Sequence, residues 1–267
     1  MSANSAIPPK TKPLARKQAR FLAPLFLLLS LLGGVPARAD TPLILAAPEG
    51  RPNTYVENGV VTGFFTDLVL EAFRRQHRSV EIRIMPWLRC IEETRIGHVD
   101  GMYIIYKTPD REPYFDYPDE SLTLLHEMAF VRNSPRTITR FDPDQASGRR
   151  VAILSHSHHG KRLDDALRSE RFPMLEIDGY DNLVNMLAAG RIDVAIAVRD
   201  PMQETIDKLG LQNKITRLKP DLDLVPSYLT FTRVRDLSAA RRAFDEGIRS
   251  MKADGTYDAI AKKYAAH

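Results

Sequence analysis

Apolar residues of this chain recur in two patterns, short continuous runs and positions spaced three or four apart, separated by polar stretches that contain Gly and Pro. Short runs are typical of buried strands, and the longer spacing is typical of helices. The first half of the chain alternates between the two patterns, which predicts parallel strands joined by right-handed helical crossovers. Strands are predicted at 42–47, 80–85, 99–106 and 124–132, and helices at 68–73 and 88–95.

The same alternation begins again after Asn133-Ser134-Pro135. The run 192–198 is almost wholly apolar, as expected of a parallel strand that is covered on both faces. Strands are predicted at 151–154, 174–177, 192–198 and 228–232, helices at 161–169, 181–189, 237–251 and 257–264, and a charged, Pro-containing connection at 218–226.

Two short stretches, 95–101 and 189–194, repeat one joint between a helix and a strand. In each, the predicted helix is followed by a Gly, a polar residue, an apolar residue and an Asp, in that order, and the strand begins there. Gly97 and Gly190 fit the position at a helix C-terminus that needs positive φ. The repetition predicts two similar α/β lobes with a cleft between them.

The last strand and two helices are too few for a third domain, so we expect them to pack on the first lobe. The predicted class is α/β with two lobes, each a mostly parallel sheet flanked by helices. Two crossover segments near 131–135 and 224–228 would form a hinge that permits closure over a ligand. Lobe 1 is predicted at 40–132 plus 227–267, and lobe 2 at 133–226.

Residues 1–39 have the three parts of a secretion signal: a cationic start, the apolar run 21–35, and the A-x-A cleavage site Ala37-Arg38-Ala39. A retained membrane anchor is the alternative, but the run is short and is interrupted by Pro and Gly. Cleavage before Asp40 leaves 32 Lys and Arg against 34 Asp and Glu. The signal predicts a periplasmic protein, and the near-neutral charge of the remaining chain predicts no nucleic-acid partner.

Cysteine and motif content narrow the chemistry further. Cys90 is the single cysteine and lies in a helical stretch, which predicts a buried, inert thiol and no disulfide. The sequence has no Gly-x-Ser-x-Gly elbow, no P-loop, no His-Glu-x-x-His and no paired-Cys motif. No cofactor, resident metal or catalytic residue is therefore predicted.

Four motifs in order along the chain resemble those of type II periplasmic solute-binding proteins, in particular the family 3 group that includes the polar amino-acid receptors of ABC importers. They are Gly63-Phe-Phe-Thr-Asp-Leu, Thr108-Pro-Asp-Arg, Gly148-Arg-Arg-Val-Ala-Ile and Met251-Lys-Ala-Asp-Gly-Thr-Tyr. The resemblance covers the chain after the predicted signal. It implies a monomeric receptor that binds a small polar or anionic, amino-acid-like solute and passes it to the membrane permease of an ABC importer.

The resemblance implies ligand contacts in the first lobe. Arg111 stands where the family holds a ligand carboxylate, and its planar guanidinium suits that task, the alternative being a surface Arg paired with a neighbouring acid. Trp87 stands where the family often has a stacking aromatic, although a core position is equally open. Arg89 could add a second positive contact, or be a solvated charge, and Thr108 would cap or orient the turn that carries Arg111.

In the second lobe, the loop Ser155-His156-Ser157-His158-His159-Gly160 follows the strand 151–154. The family's equivalent loop binds a ligand carboxylate, so Ser157 and His158 are candidate contacts. Three His in four residues also leave open a metal site or a solvated loop.

The chain departs from the amino-acid receptors at two places. Tyr103, Ile104 and Tyr106 replace small hydroxyl residues before the Thr108 motif, and both tyrosines are candidate contacts. Val198 replaces the acid that normally receives the ligand ammonium, with Asp200 a possible substitute. A standard L-α-amino acid is therefore in doubt as the ligand.

Two other functions stay open at this point. Cyclohexadienyl dehydratase resembles the same family, and such an enzyme would need an acid or base carboxylate in the cleft, with Glu49 a candidate. A sensor subunit that binds ligand without transport is the other alternative.

Overall fold

Strands and helices alternate along the chain in the computed structural model, which describes residues 41–134, 137–146, 148–168 and 174–265. The predicted secretion signal, residues 1–39, lies outside these ranges. The strands are β1 Leu43–Ala47, β2 Tyr55–Glu57, β3 Val60–Thr62, β4 Val80–Ile84, β5 Gly101–Tyr106, β6 Phe115–Asp116, β7 Thr123–Arg132, β8 Val151–Leu154, β9 Met174–Ile177, β10 Val194–Val198, β11 Ile215–Arg217 and β12 Asp223–Thr232. The helices are α1 Phe64–Arg75, α2 Trp87–Arg95, α3 Lys161–Arg168, α4 Tyr180–Ala188, α5 Arg199–Lys208, α6 Ser238–Asp254 and α7 Thr256–Ala265, with a 3₁₀ turn at Pro143–Gln145.

Ten of these strands form one sheet, whose main path runs β4-β1-β5-β12-β7-β10-β8-β9, with β11 beside β7 and β6 beside β12. The pairs at both ends of the path are parallel, namely β1 with β4 and β5, and β8 with β9 and β10. Between them, the ten-residue strands β7 and β12 run antiparallel to each other. The α/β class with two mostly parallel groups of strands is thus confirmed.

Separate hydrophobic cores lie on the two sides of β7 and β12. One contains Leu45, Phe73 and Phe244 together with Leu125, and the other contains Phe130 and the helices α4 and α5. Since Leu125 and Phe130 belong to the same strand, β7 passes from one core to the other within five residues. The only connection between the cores that the described sheet provides therefore runs through the paired strands β7 and β12.

Most of the predicted elements are present within one or two residues of their expected bounds, but the prediction for 218–226 is wrong at its end. Residues 223–226 belong to β12, where Pro226 lies opposite Leu124 of β7. Charge and proline indicated a loop there, and pairing with a long neighbouring strand overrode that local preference. Helix α5 was not predicted, because only Met202, Thr205 and Ile206 mark its buried face.

Gly97 begins the first of the two repeated joints, with φ of 78° after α2. Asp100 then fixes the entry of β5, because its carboxylate accepts a hydrogen bond of 2.7 Å from the backbone N–H of Ile44 in β1. Arg235 holds both residues, since its guanidinium donates to the Asp100 carboxylate at 2.6 Å and to the Gly97 carbonyl.

The second joint repeats these contacts. Gly190 has φ of 69°, and the Asp193 carboxylate accepts a hydrogen bond of 2.8 Å from the backbone N–H of Arg150, next to β8. The Arg150 side chain donates to the same carboxylate and to the Gly190 carbonyl, as Arg235 does in the first joint. The repeat in the sequence therefore corresponds to one strand-locking arrangement that is used twice.

Replacing Asp100 by alanine is expected to lower the free energy of unfolding by about 1.5 to 3 kcal/mol, because a charge-assisted bond to a backbone N–H is lost. Urea denaturation of the D100A variant measures this. The matched control is D119A, since Asp119 is an exposed acid whose nearest cationic nitrogens lie at 3.9 Å. Equal stability of the two variants would show that the joint does not lock the strand.

The environment of Cys90 agrees with the buried thiol that the sequence predicts. Cys90 is buried, its thiol donates to the Met85 carbonyl, and burial raises the pKa of that thiol to about 12, as expected of an unreactive side chain. Within the described ranges, no helix has the length and apolar character needed to span a membrane.

Candidate functional site

A cavity of about 370 Å³ opens where the loop after β5 faces the loop after β8. The first loop belongs to the group of strands that packs with α1 and α2, and the second belongs to the group that packs with α4. Residues from both groups of strands therefore line the same cavity. The residues that line the cavity are Leu88, Ile91, Arg95, Asp110, Arg111, Tyr114, Phe115, His156, Ser157 and His158.

Arg111 is the buried cation of this cavity, with 7% of its surface exposed. Its guanidinium donates one hydrogen bond of 3.3 Å to the Tyr106 carbonyl and lies 5.7 Å from the centroid of the Trp87 ring. It forms no ion pair with another described residue, and burial lowers the pKa of the guanidinium without discharging it. A buried cation without an acid partner is electrostatically suited to an anion.

Thr108 orients the turn that presents Arg111. Its carbonyl accepts hydrogen bonds from the backbone N–H groups of Arg111 at 3.0 Å and Glu112 at 3.1 Å. The predicted role of Thr108 in the turn is therefore performed by its backbone, and its side chain does not line the cavity.

Helix α2 supplies an apolar wall. Trp87 begins this helix after Pro86 and packs its ring against the Arg111 guanidinium, so it supports the cation and is not itself part of the cavity lining. Leu88 and Ile91 line the cavity from the same helix. Arg89 is exposed and pairs with Glu93 at 3.4 Å, so the structure does not bring it to the cavity.

A bulge in β5 determines where the two candidate tyrosines point. Ile104 has φ of 66°, and the pairing of β5 with β12 skips it. A residue added in this way shifts the alternation of side chains along the strand. Tyr103 and Tyr106 consequently both point into the core that contains Phe73.

Neither tyrosine lines the cavity. The Tyr103 hydroxyl lies 3.0 Å from that of Thr66 and 3.4 Å from that of Thr54, and burial raises the pKa of Tyr103 to about 12. The Tyr106 hydroxyl donates to Glu127 at 2.8 Å, and burial together with this carboxylate raises the pKa of Tyr106. Tyr106 reaches the site through its carbonyl, which accepts the hydrogen bond from Arg111.

The loop after β8 places Ser157 and His158 opposite Arg111. His158 lies between two acids, with Nδ1 3.1 Å from Asp164 and Nε2 3.7 Å from Asp110. The second contact joins the two sides of the cavity. Ser157 and His158 therefore line the same cavity as Arg111.

Glu127 is a fully buried acid in β7 that the sequence analysis missed. It accepts hydrogen bonds from the Tyr106 hydroxyl at 2.8 Å and from Nδ1 of His159 at 3.0 Å. The signal was present, because His126 and Glu127 interrupt the apolar run in the middle of a predicted strand. A buried carboxylate needs buried partners.

The hydrogen bonds of His159 identify it as an imidazolium. Ser157 donates its single proton to the Leu154 carbonyl, so its oxygen must accept from Nε2 of His159 at 2.8 Å, while Nδ1 donates to Glu127. Burial opposes this charge, but Glu127, together with Asp164, outweighs burial and raises the pKa of His159. Glu127 and His159 thus form a buried ion pair with no net charge, which supports the loop that carries Ser157.

The His cluster does not converge. His158 and His159 face different acids, and His156 is exposed with φ of 58°. Among the residues that the structure describes, no three His, Cys, Asp or Glu side chains come together in a way that could hold a metal ion.

The remaining candidates lie outside the cavity lining. Glu49 is exposed in the loop after β1, and Asp200 pairs with Arg199 at 2.6 Å in the first turn of α5. Val198 lies opposite Glu127 in the pairing of β10 with β7. An acid is therefore present next to position 198, on the neighbouring strand, but the imidazolium of His159 already pairs with it.

Comparison with known proteins decides the family. The family of bacterial extracellular solute-binding proteins, family 3, matches this chain over residues 43–267. The chain belongs to this family. This family 3 member has a cavity between its two groups of strands.

Individual relatives are distant but match over most of their length. The amino-acid-binding protein AabA of Dichelobacter nodosus is 25% identical over 223 residues, which cover 81% of this chain and 85% of that protein. The histidine-binding periplasmic protein of Escherichia coli K12 is 23% identical over 252 residues, which cover 89% and 96%. These relatives are named as binding proteins.

A solved structure supports the fold of this family 3 protein. The crystal structure of a histidine kinase sensor domain with similarity to periplasmic binding proteins superposes with a TM-score of 0.72 at 18% identity. The match covers 84% of this chain and 96% of that one. The expected type II binding-protein fold is thus confirmed.

Proposed function

We propose that this protein is a receptor that closes on a small polar or anionic, amino-acid-like solute. Arg111 anchors a carboxylate from the side that contains α1, supported by Trp87, and Ser157 with His158 approach from the other side. The observation that carries the proposal is the buried Arg111 guanidinium, which faces a cavity and has no ion pair among the described residues. The names of the relatives supply the amino-acid-like character of the solute.

Closure would occur about the paired strands β7 and β12. We expect two lobes close to those predicted from the sequence, 40–132 plus 227–267 and 133–226. The bend would lie earlier in β7, at residues 123–127 and 223–227, where these strands pair with each other, because Met128 and Phe130 already belong to the second core. The first crossover would then lie nearer to the start of β7 than the predicted 131–135. A solute that touches both sides of the cavity favours the closed state by its differential affinity for that state.

The proposed setting is the periplasm, where a monomer released from residues 1–39 would deliver its solute to the permease of an ABC importer. A periplasmic relative and the family's extracellular description support this setting. Measured uptake of the bound solute should then fall when the gene is deleted.

A sensing role is the second candidate, because the superposed kinase sensor domain has the same fold. In that role the closed protein would dock on a membrane receptor. Gene deletion that leaves uptake of the solute intact and removes a transcriptional response to it would decide for sensing.

A thermal-shift screen of amino acids, carboxylates and amines tests the receptor proposal. At a solute concentration one hundred times the Kd, binding stabilises the folded state by about 2.7 kcal/mol, which corresponds to roughly 5 to 10 °C in Tm. We expect at least one small solute to produce such a shift. A folded protein that no solute in the three classes stabilises would refute the proposal.

A further inference from the structure

The cavity wall contains more cationic and imidazole side chains than acidic ones. Arg111 contributes a buried, permanent positive charge, and His156 and His158 add imidazoles. Arg95 also lines the cavity, but its guanidinium is partly exposed and pairs with Glu92 at 2.7 Å. Asp110 is the single acid in this lining, and 63% of its side chain is exposed. The deep part of the cavity is therefore positive, and the acid lies at its edge.

The acids next to the cavity already have partners. Glu127 accepts hydrogen bonds from Tyr106 and from the imidazolium of His159. Asp164 accepts from the backbone N–H of His159 at 2.8 Å and contacts the His158 ring. Asp110 faces the same His158 ring from the other side. Among the described residues around the cavity, no buried carboxylate is free to receive an ammonium group.

Apart from Ser157, the rest of the wall consists of aliphatic and aromatic side chains. Leu88 and Tyr114 expose 54% and 47% of their surface, and Ile91 and Phe115 continue the wall inward. Leu88 is a large apolar residue that a helix leaves uncovered, and a bound apolar group would remove its surface from water.

We propose that the solute is an organic anion, a carboxylate on a compact aliphatic or aromatic body, and that it carries no ammonium group. This inference rests on the proposed function and narrows it. The carboxylate binds the Arg111 guanidinium, and the body covers Leu88 and Ile91. An α-ammonium would lose its hydration beside Arg111 without gaining an acid, so an amino acid binds more weakly than its deaminated analogue.

Matched pairs of compounds test this directly by isothermal titration calorimetry on the purified full chain: 3-phenylpropionate against L-phenylalanine, and 4-methylpentanoate against L-leucine, with phenethylamine as the cation. We expect the carboxylate of at least one pair to bind about tenfold or more tightly than its amino acid, and phenethylamine not to bind. Tighter binding of the amino acids would overturn the inference and leave the receptor proposal intact. If neither these compounds nor any solute of the thermal-shift screen binds, both fall.

The variant D110N distinguishes a solute that carries an ammonium group from one that does not. If Asp110 received an ammonium, D110N would weaken binding of the preferred solute. With no ammonium, D110N removes a negative charge next to Arg111 and should tighten binding by about two- to threefold at low salt. The exposed acid Asp119 provides the matched control, D119N, for which we expect wild-type affinity. Weaker binding in D110N alone would contradict the inference.

Discussion

Replacing Arg111 by methionine is expected to weaken solute binding by about 1.5 to 3 kcal/mol, or roughly 10- to 150-fold in Kd. The guanidinium is the buried cation of the cavity, and a bidentate bond to a carboxylate requires its planar fork. Isothermal titration calorimetry with the solute that stabilises the wild-type protein measures the loss. R111K should recover only part of the affinity, because an ammonium offers a point charge without the fork.

The stability of the ligand-free protein separates a lost contact from a lost fold. Arg111 has no ion pair among the described residues, so R111M should unfold at a Tm no lower than that of the wild type. R89M is the matched control, since Arg89 lies on α2, outside the cavity lining, and pairs with Glu93. Unchanged affinity in R111M, or an equal loss in R89M, would remove Arg111 from the site.

The second large effect concerns Glu127. Replacing it by alanine is expected to lower the free energy of unfolding by about 3 to 5 kcal/mol, because the imidazolium of His159 and the hydroxyl of Tyr106 are left buried without an acceptor. Urea denaturation measures this loss. The double variant E127L/H159L, which removes both charges, should recover part of the stability, since a buried pair replaced by apolar groups leaves no isolated charge. A double variant less stable than E127A would contradict this account.

The same pair gives the folded protein a dependence on pH. The pKa of His159 is raised in the folded state, so its contribution to stability is fully present below its unfolded pKa of about 6.5 and is lost as pH rises through the folded value. Unfolding experiments from pH 6 to 9 should therefore show a decrease that E127Q reduces, because the amide no longer favours the charged ring. Identical pH profiles for wild type and E127Q would show that the pair does not titrate as proposed.

The sequence predicted the parts of the site that depend on local pattern. Arg111 is the last residue of the motif 108–111, and Ser157 and His158 follow an apolar strand, so their places in loops after strands could be read directly. Both ends meet at one cavity because parallel strands within each group present their loops at the same edge. The repeated Gly and Asp joint likewise predicted two related groups of strands.

The parts that the sequence did not predict depend on contacts between distant elements. The bulge at Ile104 turns Tyr103 and Tyr106 into the core, and only the pairing with β12 reveals it. Glu127 and His159 are 32 residues apart in the chain, and neither local sequence indicates that these two side chains are hydrogen-bonded. Spacing alone could not assign Leu88 to the cavity, because a helix face is defined by what packs against it.

A crystal structure of the protein with its bound solute tests the central claim most directly. The account predicts one solute in the cavity between the two groups of strands, with its carboxylate on the Arg111 guanidinium and with Ser157 or His158 in contact from the other side. A solute bound elsewhere, or one whose polar groups avoid Arg111, would contradict it.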